Sequence, residues 1–412
     1  MKLILDYTNT AKKLAKYLIR LKYKGSTCTN MNDLSTSPQK EDDNLHLVTV
    51  VGNRPEIIKM SMLVNSLNGR YRNECVFTGQ HYSTNMKDIF SNELDIKFDY
   101  DLKSDTSNIS VLRENTRLLF QKIRPTHVIV YGDTNSTVAG ALAAKDCGCR
   151  LFHIEAGLRC FDLSKPEERN RILVDEISDY YLAPTDLSKL YLRYENVEDE
   201  RIFVTGNLIT DVCRKFSSAI TDSQRRSDLP TDYILLTLHR PALVDHRDML
   251  KRLSVFLSKV NYNIVFPIHP RTRNSLERYN IALPSNVKVI DAVGYSEFLS
   301  LLKGALIVLT DSGGVQEESI ILKKPCITLN NTTERQETIL LKANRLYHPL
   351  DGPEQESSIN DVIAEMLNVK IGINPYGEDV TNKAYNAISN AIVRDSQIAS
   401  IKALDKLMIV DR

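Results

Sequence analysis

The chain has 412 residues, 42% of them hydrophobic and 25% charged, with 53 basic against 52 acidic side chains. That length exceeds what one hydrophobic core serves, so two domains are expected, and a formal net charge of +1 leaves no overall basic field of the kind nucleic-acid binding uses. No run of about 18 apolar residues offers a membrane span, and the seven cysteines, odd in number and scattered, point to a reducing, cytoplasmic setting rather than a disulfide framework.

Residues 1–45 stand apart. Leu3, Tyr7, Ala11, Leu14, Leu18 and Leu21 recur at helical spacing beside a basic face of Lys12, Lys13, Lys16 and Arg20, which predicts an amphipathic helix. The polar stretch that follows reads as a flexible linker, and Met31 offers a second start. This extension is expected to be dispensable, with no stable membrane insertion.

From His46 short β-branched runs alternate with helical stretches. Strands are predicted at His46–Val51, Cys75–Thr78, His127–Tyr131, Leu151–Ile154 and Tyr180–Ala183. A second series after Val204 comprises Tyr233–Thr237, Ile264–Pro267, Val287–Asp291, Leu306–Thr310 and Cys326–Leu329. The alternation predicts an α/β chain of two doubly wound parallel sheets, Rossmann-like in build, in which ligands meet the carboxyl ends of the strands.

Motifs stand at those ends. In Gly52-Asn53-Arg54-Pro55-Glu56, Gly52 permits the turn and Pro55 suits a helix start, which would bring Arg54 and Lys59 to a diphosphate; a capped helix with a solvated lysine accounts for the segment equally well. Asp133 follows one strand, Glu155 the next, and Glu167 opens a helix after Pro166. Helix capping explains each carboxylate singly, but three at one sheet edge is how acid and base roles are separated. Asp99-Tyr100-Asp101 is a D-x-D without a further acidic ligand nearby, and Cys147-Gly148-Cys149 lacks a partner pair at zinc-site spacing, so no metal is expected.

In the second series His239-Arg240 and His269-Pro270-Arg271 end successive strands, an arrangement suited to an anion. Asp311-Ser312-Gly313-Gly314-Val315-Gln316-Glu317-Glu318 joins a strand to a helix through a hydroxyl and two glycines. This makes a phosphate cradle of backbone N–H groups, with Glu318 one turn in and placed for a ribose diol. Arg335, in Thr332-Thr333-Glu334-Arg335, adds a cation after the next strand.

Together GNRPEIIK (52–59), TGQHY (78–82), GDTNST (132–137), HIEAGLR (153–159), PEERNR (166–171), DSGGVQEE (311–318) and TTER (332–335) resemble the UDP-N-acetylglucosamine 2-epimerase family, in the family's order over about residues 46 to 395. The resemblance implies a glycosyltransferase-B type of fold. Its parts would be an N-terminal domain at 46–205, a nucleotide-binding domain at 206–378, and a C-terminal helix at 379–412 returning to the first domain. It implies catalytic roles for Asp133, Glu155, Glu167 and His239, and nucleotide-sugar contacts at Arg54, Lys59, Phe298, Ser312, Gly313, Gly314, Glu318 and Arg335, with His269 added from its strand-end position. Gln80 and His81 resemble positions near a regulatory sugar site. Two positions depart from the pattern: Pro241-Ala242-Leu243 replaces a Glu and Asn, and Gln336 replaces a Pro.

The activity so implied is non-hydrolysing interconversion of UDP-N-acetylglucosamine and UDP-N-acetylmannosamine, by loss of UDP to 2-acetamidoglucal and its re-addition. No cofactor is needed, and a homodimer is expected. A hydrolysing epimerase, a UDP-sugar glycosyltransferase and a nucleotide-sugar sensor without turnover remain as alternatives.

Overall fold

A computed structural model describes residues 45–80, 94–218, 227–349 and 357–410. The helix and linker expected before Leu45, Cys28 and His81 lie outside them. The chain divides into two compact units, the first reaching Leu208 and resuming at Gly377, the second being Ile209–Tyr376.

The first unit is built on strands β1 (His46–Val51), β2 (Arg72–Phe77), β3 (Tyr100–Asp101), β4 (His127–Tyr131), β5 (Arg150–Ile154), β6 (Tyr180–Ala183) and β7 (Ile202–Val204). All run parallel in the order β3-β2-β1-β4-β5-β6-β7. Between them lie α1 (Arg54–Asn68), α2 (Ile109–Ile123), α3 (Asn135–Asp146), α4 (Pro166–Ile177) and α5 (Asp186–Tyr194). Every residue of β1 and β4 is buried, because helices cover both faces of the sheet; this is why these strands read as continuous apolar runs. Val48, Val50, Val128 and Val130 pack with Val138, Leu142 and Leu173 into one core, each burial contributing roughly 1.5–3 kcal/mol.

The second unit holds α6 (Ile209–Ser218), β8 (Ile234–Thr237), α7 (Pro241–Val244), α8 (Arg247–Ser258), β9 (Ile264–Pro267), α9 (Pro270–Tyr279) and β10 (Val287–Ile290). It continues with α10 (Tyr295–Gly304), β11 (Ile307–Thr310), α11 (Gly313–Ile321), β12 (Cys326–Thr328), α12 (Gln336–Leu340), β13 (Asn344–Leu346) and α13 (Ile359–Leu367). Its strands are parallel in the order β10-β9-β8-β11-β12-β13. Two doubly wound parallel sheets are thus present, as the alternating pattern predicts.

The last helix, α14 (Val380–Val410), belongs to the first unit. It buries Ala384, Ile388, Ala391 and Ile392, receives a hydrogen bond from Tyr71 Oη to Ser389 Oγ at 2.9 Å, and takes another from Tyr180 Oη on Asp395 at 2.6 Å.

In each sheet the chain leaves one central strand in one direction and its neighbour in the other, at β1/β4 and at β8/β11. The carboxyl ends of those pairs are the topological switch points. No helix among the described residues is long and apolar enough to cross a membrane, and no cluster of three His, Cys, Asp or Glu among them could hold a metal ion. The D-x-D is edge structure: Tyr100 and Asp101 form β3, and Asp99 Oδ2 accepts from Cys75 N at 2.9 Å.

Candidate functional site

At the β1/β4 switch point two turns meet. Asn53 caps α1, its side chain accepting from Glu56 N at 3.0 Å, and Thr134 caps α3 in a reciprocal box with Thr137. Glu56 ties the turns together. Its Oε2 accepts from Gly52 N at 2.6 Å and its Oε1 from the hydroxyls of Thr134 at 2.6 Å and Thr137 at 3.3 Å. Burial, the largest influence, and nearby Asp133 push the Glu56 carboxyl up from 4.5 to about 7 against those hydrogen bonds. Gly52 has no space for a side chain, since a Cβ would stand 1.9 Å from Ser136 Oγ.

Asp133, half-buried, pairs with Arg171, and its carbonyl accepts from Asn170 Nδ2 at 2.9 Å. Glu155, at the end of the adjacent strand β5, is buried and in the left-handed region at φ +69°. Its Oε2 accepts from Lys59 Nζ at 3.3 Å. Lys59 is itself buried, with its ammonium 5.3 Å from the centre of the Tyr131 ring, so the charge expected at a diphosphate lies against Glu155. Glu167 is exposed in the first turn of α4. The neighbouring Glu168 is buried, accepting from Cys160 N at 3.0 Å, Phe161 N at 2.9 Å and Arg171 Nη2 at 2.8 Å. Arg54 is half-buried at the start of α1. Gln80 Oε1 accepts from Ser136 N at 2.9 Å and from its hydroxyl at 2.8 Å.

In the second unit the β8/β11 switch point brings His239 and Asp311 together. Buried Asp311 accepts from His239 N at 3.0 Å and Arg240 N at 2.8 Å, and His239 Nδ1 lies 3.2 Å from its Oδ1. Burial alone would raise this carboxyl, but the His239 contacts and the two backbone donors hold it below the usual range. The His239 ring is 46% exposed and stands 6.1 Å from that of His269, which caps α9 by accepting from Arg271 N at 3.2 Å. Arg271 itself is paired with Asp245.

Ser312 precedes α11 without capping it through its side chain, so the first N–H groups of the helix, on Gly313 and Gly314, receive nothing from the cap residue's hydroxyl. A Cβ on Gly313 would meet Glu334 Oε1 at 2.3 Å. Glu318 is buried one turn in, beside Tyr295, whose hydroxyl also lies 3.3 Å from Cys213 Sγ. Arg335 is buried with its Nε 2.5 Å from Glu317 Oε1, inside the unit rather than on its surface. Phe298 is half-buried against the core formed by Tyr233, Leu235 and Leu302. Pro241-Ala242-Leu243 opens the short helix α7, with Leu243 buried, so the departure from the family pattern replaces polar side chains with an apolar anchor.

The first unit therefore brings Asp133, Glu155 and Lys59 to adjacent strand ends, and the second brings His239, His269 and the α11 N-terminus to its own. Glu56 carries structure at this edge without any signal of it in the sequence beyond its motif, because Thr134 and Thr137 lie far along the chain.

Comparison with known proteins follows the same outline. The family model for UDP-N-acetylglucosamine 2-epimerase matches residues 66–389. A Methanocaldococcus jannaschii protein of that name is 40% identical over 363 residues, covering 81% of this chain and 95% of that protein. The crystal structure of Methanocaldococcus jannaschii UDP-GlcNAc 2-epimerase in complex with UDP-GlcNAc and UDP is similar with a TM-score of 0.76 at 37% identity, covering 84% of this chain and 100% of that one. The fold alone extends to a glycosyltransferase of kitacinnamycin, at 12% identity and a TM-score of 0.50.

Proposed function

Since the chain belongs to the UDP-N-acetylglucosamine 2-epimerase family, we propose that it is an isomerase that interconverts UDP-N-acetylglucosamine and UDP-N-acetylmannosamine without hydrolysis. The observation that carries this reading is the pair of carboxylates Asp133 and Glu155 at the ends of adjacent strands, each beside a buried cation, Arg171 and Lys59.

The C2 hydrogen of a 2-acetamido sugar is not acidic. Loss of UDP builds positive charge at C1, acidifies C2–H and lets a carboxylate take the proton, leaving 2-acetamidoglucal. UDP then adds back after protonation from the opposite face, so two acid/base groups are needed. Asp133, Glu155 and Glu167 fill those roles in this reading. Ser312, Gly313 and Gly314 receive the diphosphate through backbone N–H groups, Glu318 takes the ribose, and Arg54, Phe298, His269 and Arg335 complete the nucleotide-sugar contacts. His239 stabilises departing UDP. The chemistry requires no cofactor and no partner beyond the UDP-sugar; a homodimer in the cytoplasm is the setting proposed with it.

The test is incubation of purified protein with UDP-N-acetylglucosamine alone, followed by proton NMR. UDP-N-acetylmannosamine is the expected product. Free N-acetylmannosamine with UDP would make it a hydrolysing enzyme, and turnover only on addition of an acceptor would make it a glycosyltransferase.

A further inference from the structure

We propose that His153 and Asp175 are positioning residues for the proton-transfer carboxylates, Asp175 anchoring from one buried side chain both the turn that carries Asp133 and the turn that carries Glu155; this rests on the reading of those two groups as the proton-transfer machinery.

His153 is fully buried, one strand position before Ile154. Its Nδ1 lies 2.6 Å from Asp175 Oδ1 and its Nε2 lies 2.8 Å from the Gly132 carbonyl oxygen. A carboxylate and a carbonyl can only accept, so each ring nitrogen faces an acceptor and the ring links Asp175 to the Gly132 carbonyl. The His153 ring thereby fixes the peptide plane between Gly132 and Asp133.

Asp175 reaches the second turn with its other oxygen. Oδ2 accepts from Gly157 N at 3.1 Å and lies 2.7 Å from Arg159 Nη2. Arg159 is fully buried and extends the network to Glu195, with Nε–Oε1 2.8 Å and Nη2–Oε2 2.6 Å. Burial would raise the Asp175 carboxyl, but Arg159 and His153 hold it below the usual range, so the anchor stays ionised.

Both turns are conformations that need holding. Gly132 has φ +68°, Glu155 φ +69° and Gly157 φ +80°. Glu155 is the costly one, because a side chain disfavours the left-handed region. Its backbone is held from β6, where the Leu182 carbonyl accepts from Glu155 N at 3.0 Å and Ala156 N at 3.2 Å, and from α4 by Asp175 through Gly157. A fully satisfied buried network of this kind rigidifies what it touches, and here it touches the backbone just before Asp133 and two residues after Glu155.

A merely structural salt bridge would respond to loss of the ring whatever replaced it. His153→Asn keeps a donor toward Asp175 and loses the one to Gly132, whereas His153→Gln reaches Gly132 and loses the one to Asp175. In the full chain, with UDP-N-acetylglucosamine as substrate, His153→Gln is expected to keep kcat within about tenfold of wild type, because a donor to the Gly132 carbonyl is kept. His153→Asn is expected to lose about a hundredfold in kcat with KM little changed, the loss that a misplacement of about 1 Å produces. Crystal structures of the two variants should show the Gly132–Asp133 peptide displaced in the Asn variant and in place in the Gln variant, while their melting temperatures fall together. Equal kinetic losses, or a turn unmoved in both, would overturn the proposal. Wild-type protein that forms no product would remove the epimerase reading instead, and the position of the turn would still decide whether His153 sets it.

Discussion

Enclosed carboxylates keep their charge only when donors surround them, and Glu56 has three, yet its carboxyl sits at about 7, with burial as the main cause. The folded value lies above the unfolded 4.5, so between the two the folded chain holds a proton that the unfolded chain has released. Stability from this group is full below 4.5 and falls as pH rises to about 7, by roughly 3 kcal/mol in total. Glu56→Gln removes that titration. Urea unfolding at pH 5 and pH 8 should show wild type losing stability relative to the variant as pH rises; parallel behaviour would contradict the assignment. A second contrast lies at Glu167 and Glu168, about 100° apart on the helix. Glu168 is enclosed by backbone donors and Arg171, whereas Glu167 is exposed. Glu167→Gln is therefore expected to leave folding and UDP affinity intact by calorimetry while lowering turnover. Nothing in P-E-E-R-N-R distinguishes the two residues, because which one faces inward depends on where the loop around Cys160 passes.

Among elements, the turn after β1 has the least tolerance. A Cβ on Gly52 would lie 1.9 Å from Ser136 Oγ and 2.6 Å from Thr78 Oγ1, two hydroxyls 2.7 Å apart that join the ends of β2 and α3. Gly52→Ala should lower stability by about 1–3 kcal/mol or more, as overpacking does. Gly294→Ala, at the N-cap of α10 with nothing within 4 Å of its Cβ, should cost less, about 0.5 kcal/mol, from the preference of an N-cap for glycine over alanine. Thermal melts of the pair check this, and equal shifts would refute it. The central strands were legible because burial on both faces makes them unbroken apolar runs, as in Val128-Ile129-Val130. Edge strands β3, β7 and β13 were not: two or three residues with mixed exposure carry no period.

For the whole molecule, a doubly wound sheet gathers its useful side chains at one end of its central strands, so motifs far apart in sequence are legible as neighbours from the strand pattern alone. Less legible was which charges turn inward. Lys59 meets Glu155 from 96 residues away, and Arg335 meets Glu317 on α11, so two cations that a linear reading aims at a phosphate also pair with carboxylates of their own unit. The reaction assigned to this framework makes one demand that glycosyl transfer and binding without turnover do not share. An enzyme that removes and replaces the C2 proton through a carboxylate must exchange that proton with solvent, whereas glycosyl transfer and simple hydrolysis leave C2 untouched. The direct measurement is a proton NMR time course with UDP-N-acetylglucosamine in deuterium oxide. The account predicts UDP-N-acetylmannosamine carrying deuterium at C2, and product that retains full protium there would contradict it.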